Sequence, residues 1–175
     1  KSFLMIEMFV FGIAIDQKTN HPIVVLYDST KRRALPIWIG VPEARSITLA
    51  LEKAKQPRPG THDLLLTTIL SLGHKVDRIE INELASDTYF ATIFIKSADG
   101  KKGEGSIKTI DSRPSDAIAL ALRAKAPIFV SAQVVADGTV PADHERDEEE
   151  ALEFKKFIEG LKASDFKTTG GSDKS

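Results

Sequence analysis

The chain reads as an α+β fold: a mixed, mainly antiparallel sheet made by two β-β-β-α units, plus a C-terminal amphipathic helix. Three observations predict it. Two stretches, roughly 6–55 and 75–125, each run through three strand-like segments into a helix. Short turn-rich connections inside each triplet favour hairpins over the long crossovers that a parallel sheet needs. Each triplet also passes into its helix at an X-Pro step, "VPEARS" in the first and "RPSDAI" in the second. The segments "LALEKAK" and "LALRAKA" echo one another 71 residues apart, as an internal duplication would.

The elements follow in order. "IEMFVFGIAID" (6–16) is rich in β-formers and apolar on both faces, the mark of a buried strand. "QKTNHP" is a turn, and "IVVLYDS" (23–29) is its hairpin partner. "ALPIWIG" (34–40) is a third strand and leads into a helix over 41–55, with Pro42 at the first helical position and Glu43 in the acidic first turn. Ile47, Leu51 and Ala54 recur at helical spacing. "QPRPG" breaks the chain. Thr61 caps a second helix, which Gly73 ends. "KVDRIEINEL" (75–84) and "TYFATIFIKS" (88–97) alternate as strands, with Tyr89, Ala91, Ile93 and Ile95 on one face. Asp99-Gly100 signals a hairpin turn. "SIKTID" (106–111) is the next strand, "RPSDAIALALRAK" the next helix, and "PIFVSAQVV" (128–135) the last strand.

Beyond that strand the chain turns polar. Residues 137–146 read as an acidic linker and 147–166 as a C-terminal helix with its extension. Ala151, Phe154, Ile158 and Leu161 form one stripe of that helix, with Phe157 beside it. Such a stripe packs on its own domain or serves as an arm for a second subunit. Residues 167–175, Gly- and Ser-rich, read as a disordered tail.

Bulk properties narrow the function. The 175 residues contain no cysteine, which excludes thiolate catalysis, disulfides and Cys-ligated zinc and fits a cytoplasmic, reducing setting. No apolar run approaches the ~20 residues of a membrane-spanning helix, so no membrane partner is expected. Residues 1–140 hold 18 Lys and Arg against 15 Asp and Glu, whereas 141–175 hold 6 against 10. The body is mildly basic and the C-terminal part acidic, short of a dedicated DNA-binding signature but compatible with a local phosphate site. The opening "KSFLMIEM" is too weak for a secretory signal and reads as an extension before Met5.

No GxSxG, Walker loop, HExxH or dinucleotide-binding glycine turn occurs. The histidines at 21, 62, 74 and 144 have no i+3 or i+4 partner among themselves, so a His-based zinc site is not expected. His21 and His144 read as solvated. What stands out is the helix entrances. Glu43, Asp63 and Asp116 lie in first turns, Asp111 closes a strand, and Arg58 and Arg113 each precede a proline that restricts their backbone. An arginine at a helix entrance is unfavourable unless something negative sits beside it. Each acid alone also has a structural reading, since carboxylates suit first turns, and Arg113 is able to bridge Asp111 and Asp116. If the entrances converge, however, the set becomes chemical. Glu43, Asp63, Asp111 and Asp116 offer hard oxygen ligands for Mg²⁺ or Mn²⁺. Arg58, Arg113, Arg45 and Ser115 offer phosphate contacts. His62, with Asp63, Asp116 and Glu43, offers general acid–base chemistry. No organic cofactor is expected.

The segments "RALPIWIGVPEA", "RPGTHDLL" and "IDSRPSDAIALALRAKAPIFV" resemble the bifunctional nuclease domain family of bacteria and plants, with similarity from about Met5 to Val135, giving a domain at 5–136. "EFKKFIEGLKASDF" also resembles that family's C-terminal extension. The resemblance implies an α+β domain, a homodimer, and nuclease activity on RNA and DNA with little sequence preference. It carries over the motif positions Glu43, Arg58, His62, Asp63, Asp111, Arg113, Ser115 and Asp116, without roles. Two expectations from different classes follow: a metal-assisted nuclease hydrolysing phosphodiester bonds, and a non-catalytic dimeric regulatory or scaffolding protein that binds a nucleotide, nucleic acid or protein. The modest charge and the want of an evident base-stacking platform speak for the second.

Overall fold

A computed structural model describes residues 4–99, 107–142 and 144–160. The first unit runs β1 (Met5–Ile15), β2 (Pro22–Asp28), β3 (Arg33–Trp38) and α1 (Val41–Leu51). α2 (Thr61–Ser71) follows. The second unit repeats the pattern with β4 (His74–Ala85), β5 (Thr88–Ser97), β6 (Lys108–Ser112) and α3 (Pro114–Ala124). β7 (Ile128–Ser131), α4 (Ala132–Gly138), β8 (Val140–Pro141) and α5 (His144–Gly160) complete the order.

All strands join one sheet in the order β6-β5-β4-β7-β1-β2-β3-β8. The two meanders thus lie on either side of β7, each offering its first strand to it. β7 runs antiparallel to β1 and parallel to β4; all other pairings are antiparallel. The β4–β7 pair is parallel because β5, β6 and α3 intervene as a crossover.

The fold class, the two units and the amphipathic C-terminal helix are as expected. Tyr89, Ala91, Ile93 and Ile95 all meet the core. α1, α2 and α3 pack together, α1 over β1 and β2, α2 on β4, and α3 on β4 and β5. α3 is the central helix, with Ala117, Ile118, Ala119, Leu120 and Ala121 buried in succession. Its run of alanines explains how: small side chains let helices and sheet approach from several sides.

The sheet curls strongly. A Cβ placed on Gly138, at the end of α4, would fall 2.8 Å from the Tyr89 hydroxyl of β5 and 2.9 Å from Leu35 Cδ1 of β3. Side chains from strands far apart in the sheet order therefore approach one point there, and a side chain at 138 would have to push their tips aside.

Several local expectations are corrected. Strand character ends at Ser131, and residues 132–135 are helical. The Ser131 hydroxyl accepts the Val134 N–H at 3.2 Å, an N-cap that starts α4, and Val134 is buried as a helical residue. The β-branched pair Val134-Val135 had suggested a strand, and tertiary burial overrides that propensity. Gly40 and Gly60, not residues inside the helices, are the N-caps of α1 and α2, so Pro42 and Thr61 stand one step deeper than expected. Val140–Pro141, within the segment read as a linker, pairs with β3. Arg33 Nε donates to the Thr139 hydroxyl at 2.6 Å and Arg33 Nη2 to the Thr139 carbonyl at 2.9 Å, which pins that edge.

α5 packs on β1. Phe154 is 2% exposed, and Ala151 lies 3.7 Å from where a Gly12 Cβ would stand. Lys155 pairs with Glu52 at the end of α1 at 3.3 Å. Phe157, the flanking member of the stripe, is exposed. The side chains of Ile158 and Leu161, the turn at Gly100, the side chain of His144 and the tail lie outside the described residues.

Candidate active site

α1, α2 and α3 point their N-termini at one place. Each entrance is built locally from a residue that leaves the helix in extended conformation: Gly40, Gly60 and Arg113. Each carries an acid at the third helical position, where the backbone N–H groups and the dipole favour it. Those acids are Glu43, Asp63 and Asp116.

Ion pairs knit the entrances together. Arg113 Nε lies 2.8 Å from Asp116 Oδ2 on its own helix, and Arg113 Nη1 lies 3.1 Å from Glu43 Oε1 on α1. The arginine at the entrance thus has two acid partners, one of them expected. The other expected partner, Asp111, pairs in β6 with Thr92 of β5. Gly40 permits the Glu43 side to form, because the Glu43 carboxylate folds back over the space a Cβ at 40 would fill.

His62 lies at the centre and is buried. Its Nδ1 is 2.7 Å from Ser46 Oγ on α1, and its Nε2 is 2.9 Å from Asp116 Oδ1 on α3. Burial pushes the Asp116 carboxyl up, but hydrogen bonds from Arg113 and His62 outweigh it and hold its pKa below the usual value. An ionised carboxylate only accepts, so the proton sits on His62 Nε2. In the neutral imidazole Nδ1 is then bare and accepts the Ser46 hydroxyl proton.

A second layer supports this centre. Arg123 Nε donates to Asp63 Oδ1 at 2.6 Å, Nη1 to the Ala119 carbonyl at 2.9 Å, and Nη2 to the Ser46 carbonyl at 3.2 Å. The Arg123 hydrogen bond is the main reason the Asp63 carboxyl titrates low, against burial. Asp63 Oδ2 also accepts the Gly60 N–H at 2.8 Å.

A cleft of about 340 Å³ opens over the centre, lined by Glu43, Arg45, Ser46, Arg58, His62, Asp63, Arg113, Asp116 and Arg123 among others. A second cleft, of about 670 Å³, lies on the other side of His62, Arg113 and Asp116. Its wall is largely apolar and aromatic, with Leu65, Ile69, Tyr89, Phe90, Ile93 and Ile110, and Asp111 and Ser112 also line it.

The structure therefore brings Glu43, Asp63, Asp116, Arg45, Arg58, Arg113 and His62 to one cleft. Asp111 is left in the neighbouring one, and Ser115 is buried and lines a third space beside Trp38. Among the described residues no three His, Asp or Glu side chains are grouped to hold a metal ion. Glu43 and Asp116 share Arg113, and Asp63 holds Arg123. The donor set is thus neutralised by guanidinium groups and does not fit a ready-made divalent-ion site.

Sequence reasoning missed Ser46 and Arg123. Ser46 follows Glu43 by three residues and Arg123 follows Asp116 by seven, spacings that put each pair on one helix face. The echo "LALEKAK"/"LALRAKA" held a further signal, since Arg123 stands where the first copy has Glu52.

Fold and site define a class: a single-sheet α+β domain whose three packed helices converge on a polar, arginine-lined cleft. A family model of the bifunctional nuclease domain matches residues 24–143, and the chain belongs to that family. Its relatives include the uncharacterized protein Rv1829 of Mycobacterium tuberculosis, 36% identical over 93% of this chain and 99% of that protein. They also include bifunctional nuclease 1 of Oryza sativa subsp. indica, 26% identical over 68% of this chain. Bifunctional nuclease 1 of Arabidopsis thaliana is 28% identical over 63% of it. The match spans only 35% and 34% of those two plant proteins. Among the described residues no helix is long and apolar enough to cross a membrane.

Proposed function

We propose that the chain hydrolyses phosphodiester bonds of RNA and DNA with little sequence preference. The observation that carries this reading is His62, held between Ser46 and Asp116 where an arginine-lined cleft meets an aromatic one. The guanidinium groups of Arg45, Arg58 and Arg113 suit a phosphate, which they would hold by charge-assisted hydrogen bonds. The apolar cleft with Tyr89 and Phe90 suits a base, taken by stacking, and stacking does not discriminate among bases. Nothing in this arrangement calls for a ribose 2′-hydroxyl, which agrees with action on both nucleic acids. His62, oriented by Asp116, takes a proton from the attacking oxygen and returns one to the leaving oxygen.

Assistance by Mg²⁺ or Mn²⁺ belongs to the same proposal but rests on the acids alone. An ion at Glu43 and Asp116 would have to displace Arg113 from both carboxylates. The names of the plant relatives support the nuclease reading. The homodimer implied by the family resemblance is checked by light scattering of the native protein.

The test is a cleavage assay on single-stranded RNA and DNA, with Mg²⁺, Mn²⁺ or EDTA, of the native chain and His62→Ala. Cleavage that His62→Ala loses supports the proposal. Cleavage equal in both variants overturns it. Binding of oligonucleotide without cleavage in any metal favours the second reading, a non-catalytic binding protein, for which the mutual neutralisation of acids and arginines in the cleft speaks.

A further inference from the structure

We propose that Ser46 is the nucleophile of a two-step reaction and carries a nucleotidyl group covalently. The inference rests on the hydrolase reading and goes one step beyond it.

A serine inside a helix ordinarily donates its hydroxyl to the carbonyl one turn back. Ser46 sits at the sixth position of α1, yet its hydroxyl meets His62 Nδ1 at 2.7 Å instead. His62 in turn is oriented through Nε2 by Asp116 at 2.9 Å. Nucleophile, base and orienting acid therefore stand in one hydrogen-bonded line, the arrangement that activates a hydroxyl. The three residues come from three helices, so the line exists only in the folded chain. Two features set it apart from a merely satisfied buried histidine. Ser46 is one of the residues lining the cleft that Arg58 and Arg113 also line. Its position is also held from behind, since Arg123 Nη2 donates to the Ser46 carbonyl at 3.2 Å while binding Asp63.

In the first step Ser46 Oγ bonds to phosphorus as its proton passes to His62 Nδ1. The phosphorus–oxygen bond to the leaving sugar breaks, that oxygen takes the proton from His62, and the other nucleoside stays esterified to the same phosphorus. In the second step water bonds to the same phosphorus and gives a proton to His62 Nδ1. The bond from phosphorus to Ser46 Oγ breaks, and Ser46 recovers its proton. The sum is hydrolysis, with no oxidant, reductant or further reactant.

The test uses the native chain and a dinucleotide with a phosphorothioate linkage of one configuration, hydrolysed in heavy-oxygen water. Two displacements give net retention at phosphorus, and a Ser46 peptide esterified by a nucleoside phosphorothioate after acid quench accompanies it. Inversion shows a single attack by water and overturns the proposal while leaving the hydrolase reading in place. Ser46→Ala is expected to lose activity by on the order of 100-fold or more while keeping its melting temperature. Undiminished turnover in Ser46→Ala also overturns it. Failure of the native chain to cleave any dinucleotide removes the hydrolase reading and this step with it. The stereochemical result needs no variant, so it stands even if Ser46→Ala folds poorly.

Discussion

His62 Nε2 lies 2.9 Å from Asp116 Oδ1, although 54 residues separate them in the chain and they belong to different helices. That contact joins α2 to the central helix and makes the candidate site one unit. Asp116 is held on its other oxygen by Arg113, which reaches on to Glu43. Three side chains from three helix entrances, His62, Arg113 and Glu43, thus depend on one carboxylate, the last of them through Arg113.

Asp116→Asn should therefore act on activity before stability. The amide is nearly isosteric but offers one acceptor and donates with its other atom, so it cannot serve Arg113 and His62 together. Cleavage should fall by roughly 100-fold or more, as expected when the orientation and charge behind a general base are lost. A turnover assay beside a thermal melt separates the two effects. Full activity in Asp116→Asn would deny His62 its orienting partner.

Arg113 and Arg123 should behave differently. The Arg113 side chain is 65% exposed and that of Arg123 only 11%. Arg113→Ala should cost at most about 1 kcal/mol of stability, as exposed ion pairs do. Its effect should appear as a raised KM, if it grips phosphate. Arg123→Ala takes a charged donor from the Asp63 carboxylate and cuts the tie between α3 and the Ser46 carbonyl of α1, at a cost of about 1–3 kcal/mol. Urea unfolding of both variants checks the order; equal losses would contradict it.

The pH dependence of stability follows from Asp63 and Asp116, whose folded-state pKa values both lie below normal. A depressed carboxyl binds fewer protons folded than unfolded. Its stabilisation is therefore fully present above the unfolded value of about 3.9 and is lost as pH falls through the lowered folded value. Melting temperature should decline below that value, and Asp63→Asn should flatten the decline. A profile identical to the native one would show that the Arg123 pair contributes nothing.

Phe154→Ala tests the docking of α5. Phe154 is the buried anchor of that helix, and its ring faces Phe157 at 6.2 Å between centroids. Truncation should cost about 3–5 kcal/mol if α5 is part of the cooperative unit. Hydrogen exchange over residues 144–160 would show whether the helix detaches alone or the whole domain loses stability.

Gly40→Ala should loosen the Glu43–Arg113 pair without unfolding the chain. The added methyl occupies the space of the folded-back Glu43 carboxylate, which is the flexible end of a side chain and able to move. Stability should change little, while KM rises as Arg113 loses one of its two supports. An unchanged KM would show that Glu43 has no part in positioning Arg113.

Much of this molecule is written locally. Period-two alternation in β4 and β5, proline just inside α1 and α3, and acids in the first turns of three helices are properties of neighbouring residues, so they were legible without coordinates. Where neighbours sent the wrong message, as with Val134 and Val135, burial against distant strands outweighed propensity. The site was legible only as a set of residue types. Ser46 and Arg123 carried no local oddity, because a serine and an arginine at helical positions are ordinary until something faces them. Asp111 looked like the natural partner of Arg113 by proximity in the chain, yet Glu43, seventy residues away, took that place. The amino-acid order determined which segments form strands and helices and which carry charge at their ends. The tertiary structure decided which ends meet, because that depends on β7 inserting between two meanders and on the curl that brings α1, α2 and α3 together, relations that exist only across the sheet.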